Sequence, residues 1–146
     1  MDQLPSWLLT QTAAYAQRLV SDGFGAVGAR GYHYRLLRSL TDEGPASQAA
    51  LGRRTGIHLS DMVAALNELE AGGYVARSPD PADRRRNVIT VTTAGTARAK
   101  ELGRQVENIQ EELLQPLTSQ ERQQLTEILR KLLAHHRQGV SPLSRM

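Results

Sequence analysis

The chain has 146 residues, of which 40% are hydrophobic but only 4% aromatic, and a formal net charge of +3. That is one domain's worth of chain, with enough aliphatic side chains for a helical core and a mild bias toward a polyanionic partner. It has no cysteine, which excludes disulfides, thiol redox switching and thiolate metal sites.

The opening MDQLPSWLLTQT lacks the positive and long apolar segments of a signal peptide, and no run approaches the ~20 apolar residues of a membrane span. The expectation is a soluble, cytoplasmic protein. A first helix is predicted from Pro5 to about residue 20, since Pro suits a first helical position and Leu4, Leu8, Thr12, Tyr15 and Leu19 recur at helical spacing. Ser21-Asp22-Gly23 weakens it, and Gly25 to Gly31 reads as a loose link. A second helix, about Tyr32 to Thr41, carries Leu36, Leu37 and Leu40 on one side and ends at Asp42-Glu43-Gly44-Pro45.

Next come two helix-sized blocks and a basic hairpin. Ser47 to Arg54 is short and ends at Thr55-Gly56-Ile57; about His58 to Ala71 is longer and closes on Gly72-Gly73. Gly56 suits the turn conformation, Gly52 reads as a small residue at a helix crossing, and Leu51, Ile57, Met62 and Leu66 supply the contacts. This is a helix-turn-helix. Tyr74 to Ser78, a charged tip, and the β-branched return Asn87 to Thr92 form a hairpin, the wing. Four arginines, Arg77 and Arg84 to Arg86, concentrate positive charge there. A long helix follows from Thr96 toward Gln115 with Leu102, Val106, Ile109 and Leu113 in register. Pro116 breaks it, and Thr118 or Ser119 caps a last helix to about Arg137, with Glu121 in its first turn and a stripe of Leu125, Ile128, Leu129, Leu132 and Leu133. Gly139 to Met146 reads as a frayed tail.

Catalytic signatures are absent: no Gly-x-Ser-x-Gly elbow, phosphate-binding glycine loop or His-Glu-x-x-His occurs, and no enzyme or cofactor is expected. No metal site is expected either, because His135 and His136 project roughly 100° apart on a helix and His33 and His58 are distant.

The run Glu43-Gly44-Pro45, Ser47-Gln48, Leu51-Gly52, Gly56-Ile57, Leu69-Glu70 and Gly73 carries a family pattern. With the wing phrase Asp80-Pro81-Ala82-Asp83-Arg84-Arg85 and the exit Val91-Thr92-Thr93-Ala94-Gly95, it resembles the MarR family of winged-helix transcriptional regulators over nearly the whole chain. The resemblance implies a mainly α (α+β) fold, a single domain over 1–146. Within it, residues 32–95 form a winged helix-turn-helix with a two-stranded wing, and residues 4–22 and 96–138 a helical dimerisation part. The apolar stripes of the terminal helices fit that homodimer, the alternative being that they pack within one chain.

The implied partner is double-stranded DNA carrying an inverted repeat, with the second motif helix in the major groove. Its candidate outward face comprises His58, Leu59, Ser60, Asp61, Ala64, Asn67 and Glu68. The family often has a basic residue at the places of Leu59 and Ala64, so this helix offers few charged contacts. Ser47 joins the DNA-facing set by resemblance, and Arg53 and Arg54 are candidates for the backbone. In the wing, Arg84 is the candidate for the minor groove, where A·T-rich DNA concentrates negative potential. Arg85 is expected to pair with Asp83 or a nearby acid, and Arg86 to reach a phosphate. Related proteins bind a small aromatic or anionic ligand, for which Trp7, Tyr15, Tyr32, His33 and Tyr34 are candidates, with Arg30 or Arg38 to meet a carboxylate. The functional expectation is a regulator, more often a repressor, released by such a ligand. The alternative is a winged helix used for protein binding, with a wing that serves solubility.

Overall fold

The computed structural model describes residues 1–138; the tail expected from Gly139 to Met146 lies outside the described residues. Elements follow the order α1 (Pro5–Gly25), α2 (Gly31–Glu43), β1 (Ala46–Ser47), α3 (Gln48–Thr55), α4 (Leu59–Ala71), β2 (Val75–Pro79), β3 (Asn87–Val91), α5 (Thr93–Leu114) and α6 (Ser119–Gln138). They form two compact units, Met1–Gln110 and a second from Glu111 onward.

In the first unit α2 is the central helix, touching α3, α4 and β3. Its Leu36, Leu37 and Leu40 are fully buried, together with Leu51, Met62, Leu66, Ile89 and Leu102. Each such side chain contributes roughly 1.5–3 kcal/mol of transfer free energy, so this cluster fixes how α3 and α4 meet. Between them Gly56 takes φ 68°, the left-handed turn the sequence requires. Gly52 has a different role from the one expected. A β-carbon there would touch nothing within 4 Å, so no close helix crossing explains this glycine.

The wing is more firmly anchored than a two-stranded hairpin. β3 pairs antiparallel with β2 (Val75↔Val91 to Pro79↔Asn87) and also with β1, Ala46↔Ile89 and Ser47↔Val88. The two-residue β1 is too short to carry a sequence signal, which is why it was not anticipated. Ser47 then passes from strand to helix, its hydroxyl accepting the Ala50 N–H at 3.2 Å as the α3 N-cap.

α1 is longer than expected. Ser21 to Gly25 stay helical, and the link shrinks to a short turn with Gly28 at φ 70°. Close packing sustains this segment: Phe24 is buried, and a β-carbon on Gly23 would overlap the Ile109 side chain. α1 leaves Leu8, Leu9 and Tyr15 exposed, as is Leu4 just before it.

In the second unit a capping box opens α6: the Thr118 N–H donates to Glu121 (3.0 Å) and the Glu121 N–H to the Thr118 hydroxyl (3.2 Å). Arg122 grips Glu111 in a two-pronged pair at 2.6 and 3.0 Å, which holds the Glu111 carboxyl below its ordinary range. α6 buries none of its side chains in the single chain; Ile128, Leu129, Leu132 and Leu133 are all exposed. Among the described residues no helix is long and apolar enough to cross a membrane.

Candidate nucleic-acid interface and ligand cavity

α4 buries Met62, Ala65, Leu66 and Leu69 and turns its other side to solvent. Three polar side chains on that other side are committed to the protein itself. The Tyr32 hydroxyl donates to Asp61 at 3.4 Å, linking this half-buried carboxylate to α2. The Arg77 guanidinium donates to Asn67 Oδ1 at 3.0 Å, joining α4 to β2. Glu68 accepts from Arg30 at 2.6 Å and bonds His33 Nε2 at 2.7 Å. Leu59, Ser60, Val63 and Ala64 are outward without such partners in other elements, with Leu59 65% exposed and Val63 40%, and Asn67 and Glu68 stay exposed beside them. His58 precedes the helix as its N-cap residue, and its ring lies 3.3 Å from the Ser60 hydroxyl.

A cleft of about 390 Å³ joins the start of α3, the start of α4 and the wing, with Ser47, Gln48, Leu59, Arg77 and Arg86 on its walls. In the wing tip, Asp83 organises the arginines. Its carboxylate accepts from the Arg85 backbone (3.1 Å) and side chain (3.2 Å) and lies 3.7 Å from Arg86. The Arg85 hydrogen bonds hold that carboxyl below its usual range. Arg84 is exposed and has no ion-pair partner among the described residues. Arg54 is tied to the Gly44 carbonyl (2.9 Å) and Glu43 (3.4 Å), whereas Arg53 is exposed at the end of α3.

A separate cavity of about 640 Å³ lies within the first unit, lined by Val20, Phe24, Tyr32 and Tyr34 with Arg30 and Arg35 among its polar residues. Of the aromatic candidates Tyr32 and Tyr34 line it; Trp7 and Tyr15 do not, and Tyr15 stacks under Arg18. Arg38 pairs with Asp42 and lines a different, more polar cleft. His33 is buried behind the wall and serves the α2 terminus: Nδ1 accepts the Arg30 N–H at 3.2 Å, so Nε2 carries the proton and donates to Glu68.

Sequence reasoning missed Val63, the partner role of Arg77, and the Arg30–Glu68 link. Val63 had a signal, four residues after Leu59 on the same helical face. The two arginine contacts span segments whose meeting no local pattern specifies.

Burial pushes the His33 imidazole below its ordinary value of 6.5, and the Glu68 hydrogen bond only partly opposes this. An unfolded chain therefore takes up this proton at higher pH than the folded one. Stability from neutral His33 is full above about 6.5 and declines as the pH falls toward and through the folded value. Desolvation raises the Glu68 carboxyl but its hydrogen bond to His33 and the Arg30 charge outweigh that, so its own contribution fades only below about 4.5. The expected result is a melting temperature that drops more between pH ~7.5 and ~5.5 in wild type than in His33→Gln. Equal drops would assign the acid sensitivity to other groups.

No group of three or more potential metal ligands occurs among the described residues. The sequence model of the MarR family matches residues 29–86. The chain is 38% identical over 82 residues to YcgE of Bacillus subtilis, an uncharacterised HTH-type transcriptional regulator, covering 56% of this chain and 53% of that protein. It is 32% identical over 97 residues to NicR of Pseudomonas putida, an HTH-type transcriptional repressor, covering 66% of this chain and 61% of that one. The matched stretches thus span between half and two thirds of these curated relatives. Among solved structures, a probable transcriptional regulator from Pseudomonas aeruginosa superposes with a TM-score of 0.78 at 29% identity, covering 90% of this chain and 98% of that one. BpsR of Bordetella bronchiseptica shares the fold, with a TM-score of 0.78 at 24% identity over 90% of this chain and 94% of that one. Residues 29–86, from the turn before α2 to the wing tip, thus carry the sequence pattern of the MarR family.

Proposed function

We propose that the chain is a homodimeric transcriptional regulator that binds an inverted-repeat operator, with α4 in the major groove and Arg84 in the adjacent minor groove. The observation that carries this reading is the shared cleft: the starts of α3 and α4 and the wing open onto one surface edged by Arg77 and Arg86. Backbone phosphates favour such a cationic rim, and an unpaired guanidinium at a hairpin tip suits a narrow minor groove. The exposed leucines of α1 and of α6 supply the dimer contacts, so residues 4–22 and 96–138 form the dimerising part and 32–95 the DNA-binding part. Repression is the sign of control that NicR's name supports.

The cavity beside α2 takes a small aromatic acid that releases the operator. Phe24, Tyr32 and Tyr34 offer ring faces and Arg35 offers counter-charge, Arg30 being paired with Glu68. BpsR, whose DNA binding is regulated by 6-hydroxynicotinic acid, supports this ligand class.

Enrichment of genomic fragments on the purified protein tests the reading. Bound sites should share an inverted repeat with half-site centres about one helical turn, ~10 bp, apart. Arg84→Ala should weaken the enriched site by ~1–3 kcal/mol, whereas Arg86→Ala should weaken all duplexes alike and flatten the salt slope by about one unit. No enrichment, together with retention on duplex DNA that ignores salt, would remove the function.

A further inference from the structure

The first turns of α4 expose an apolar pair, Leu59 and Val63, where a DNA-reading helix ordinarily carries polar side chains. Asp61, Asn67 and Glu68 are held by Tyr32, Arg77 and Arg30. Leu59 and Val63, one helical turn apart, stand 65% and 40% exposed on the side left free. Neither belongs to the buried core, and Leu59 forms part of the wall of the cleft that Arg77 and Arg86 edge.

The geometry points to a reading surface for thymine 5-methyl groups: Leu59 and Val63 select the operator by burying thymine methyls in the major groove. This rests on the DNA-binding reading above and names how that same surface discriminates. Three arguments select this occupant. The groove edge of an A·T pair offers an apolar methyl that no other unmodified pair presents, so two aliphatic side chains discriminate without hydrogen bonds. The surrounding cations favour a phosphate-bearing partner over an apolar protein segment, which would have to bury Arg86 beside it. Asp61, Glu68 and the Asn67 carbonyl oxygen are also engaged by Tyr32, by Arg30 and His33, and by Arg77, which leaves fewer free polar groups for base edges than the helix composition suggests. Ser60 alone keeps an outward hydroxyl at the start of the helix, next to His58.

The test uses duplexes enriched from a random-core pool by the wild-type protein, resynthesised with deoxyuridine in place of thymine one position at a time. Deoxyuridine removes the methyl and keeps the base pair. At thymines under α4, anisotropy at fixed salt should show a loss of ~4-fold per methyl, the equivalent of one buried methyl group. Thymines elsewhere in the duplex should tolerate the change. In Leu59→Ala/Val63→Ala, the thymine site should bind more weakly than in wild type, and the thymine-to-uracil difference should vanish. Both positions are exposed, so unchanged thermal melting is expected and checks that folding is intact. Wild type that binds the uracil duplex as tightly as the thymine duplex would overturn the inference while leaving DNA binding standing. So would a double variant that keeps the full difference. Failure of any sequence to enrich would overturn this inference, and with salt-insensitive retention on duplex DNA it would overturn the DNA-binding function too.

Discussion

Replacing Leu129 and Leu132 together by glutamate should abolish operator binding although neither residue faces DNA. Both are about two-fifths exposed in the single chain, and α6 buries no side chain there. A lone protomer therefore tolerates the change, and far-UV circular dichroism should report a folded helical protein. In the proposed dimer the carboxylates meet an apolar partner surface without counter-charge. An uncompensated buried charge costs roughly 3–5 kcal/mol, and two-fold symmetry applies the cost on both sides. Light scattering should find a monomer, and affinity for the enriched site should fall at least ~100-fold, since a 1.4 kcal/mol loss is already tenfold. A variant that remains dimeric and binds like wild type would end the dimer assignment.

Gly95→Ala should be the most damaging of the glycine substitutions in the family pattern. A β-carbon there collides with the Tyr74 carbonyl and meets a Val91 methyl at 2.7 Å. The first obstacle is backbone, so no rotamer change relieves it. The junction is tight because Thr92 works in two directions. Its hydroxyl donates to the Gly73 carbonyl (2.7 Å) and accepts the Gly95 N–H (3.0 Å), stitching the end of α4 to the start of α5. Overpacking of this kind costs ~1–3 kcal/mol or more, about 2–4 °C of melting temperature per kcal/mol at this size. Gly52→Ala is the contrast: its β-carbon meets open space, and in a helix interior alanine is favoured over glycine by ~0.8–1 kcal/mol. Chemical denaturation should move the two midpoints in opposite directions. A Gly95→Ala midpoint equal to wild type would mean that the collision is absent.

The contrast between Gly52 and Gly95 also marks how far the sequence was readable. Elements defined by their own periodicity were legible to within a few residues: α2 from its leucines, α4 from Met62 and Leu66 with its closing glycines, and α6 from its aliphatic stripe. The helix-turn-helix followed because Gly56 leaves little choice of turn. What a glycine accommodates was not legible, since that depends on which backbone passes beside it. The strand β1 escaped notice for a related reason, its two residues being defined by their partner in β3. At the candidate site, exposure on α4 was largely readable from helical spacing, but the engagement of Asp61, Asn67 and Glu68 was not. Their partners come from α2 and its preceding turn and from β2. The cavity was half legible. Its tyrosines stand out in a chain with so few aromatic residues, but which of them share a wall depends on how α1 and α2 pack.

Ser47 gives the DNA-binding part a fixed internal ruler. It is the last residue of β1 and the cap of α3, with its backbone in register with Val88 of the wing. Asn67 and Arg77 make a second tie between α4 and the wing. In the proposed complex these two ties would hold the distance from the bases under Leu59 to the minor groove under Arg84 alike in every half-site. On that proposal, a molecule that alters the dimer would change the distance between half-sites and leave each half-site reading unchanged. Operators would then differ in the spacer at their centre, while each half keeps one pattern of thymine-bearing steps and flanking narrow groove.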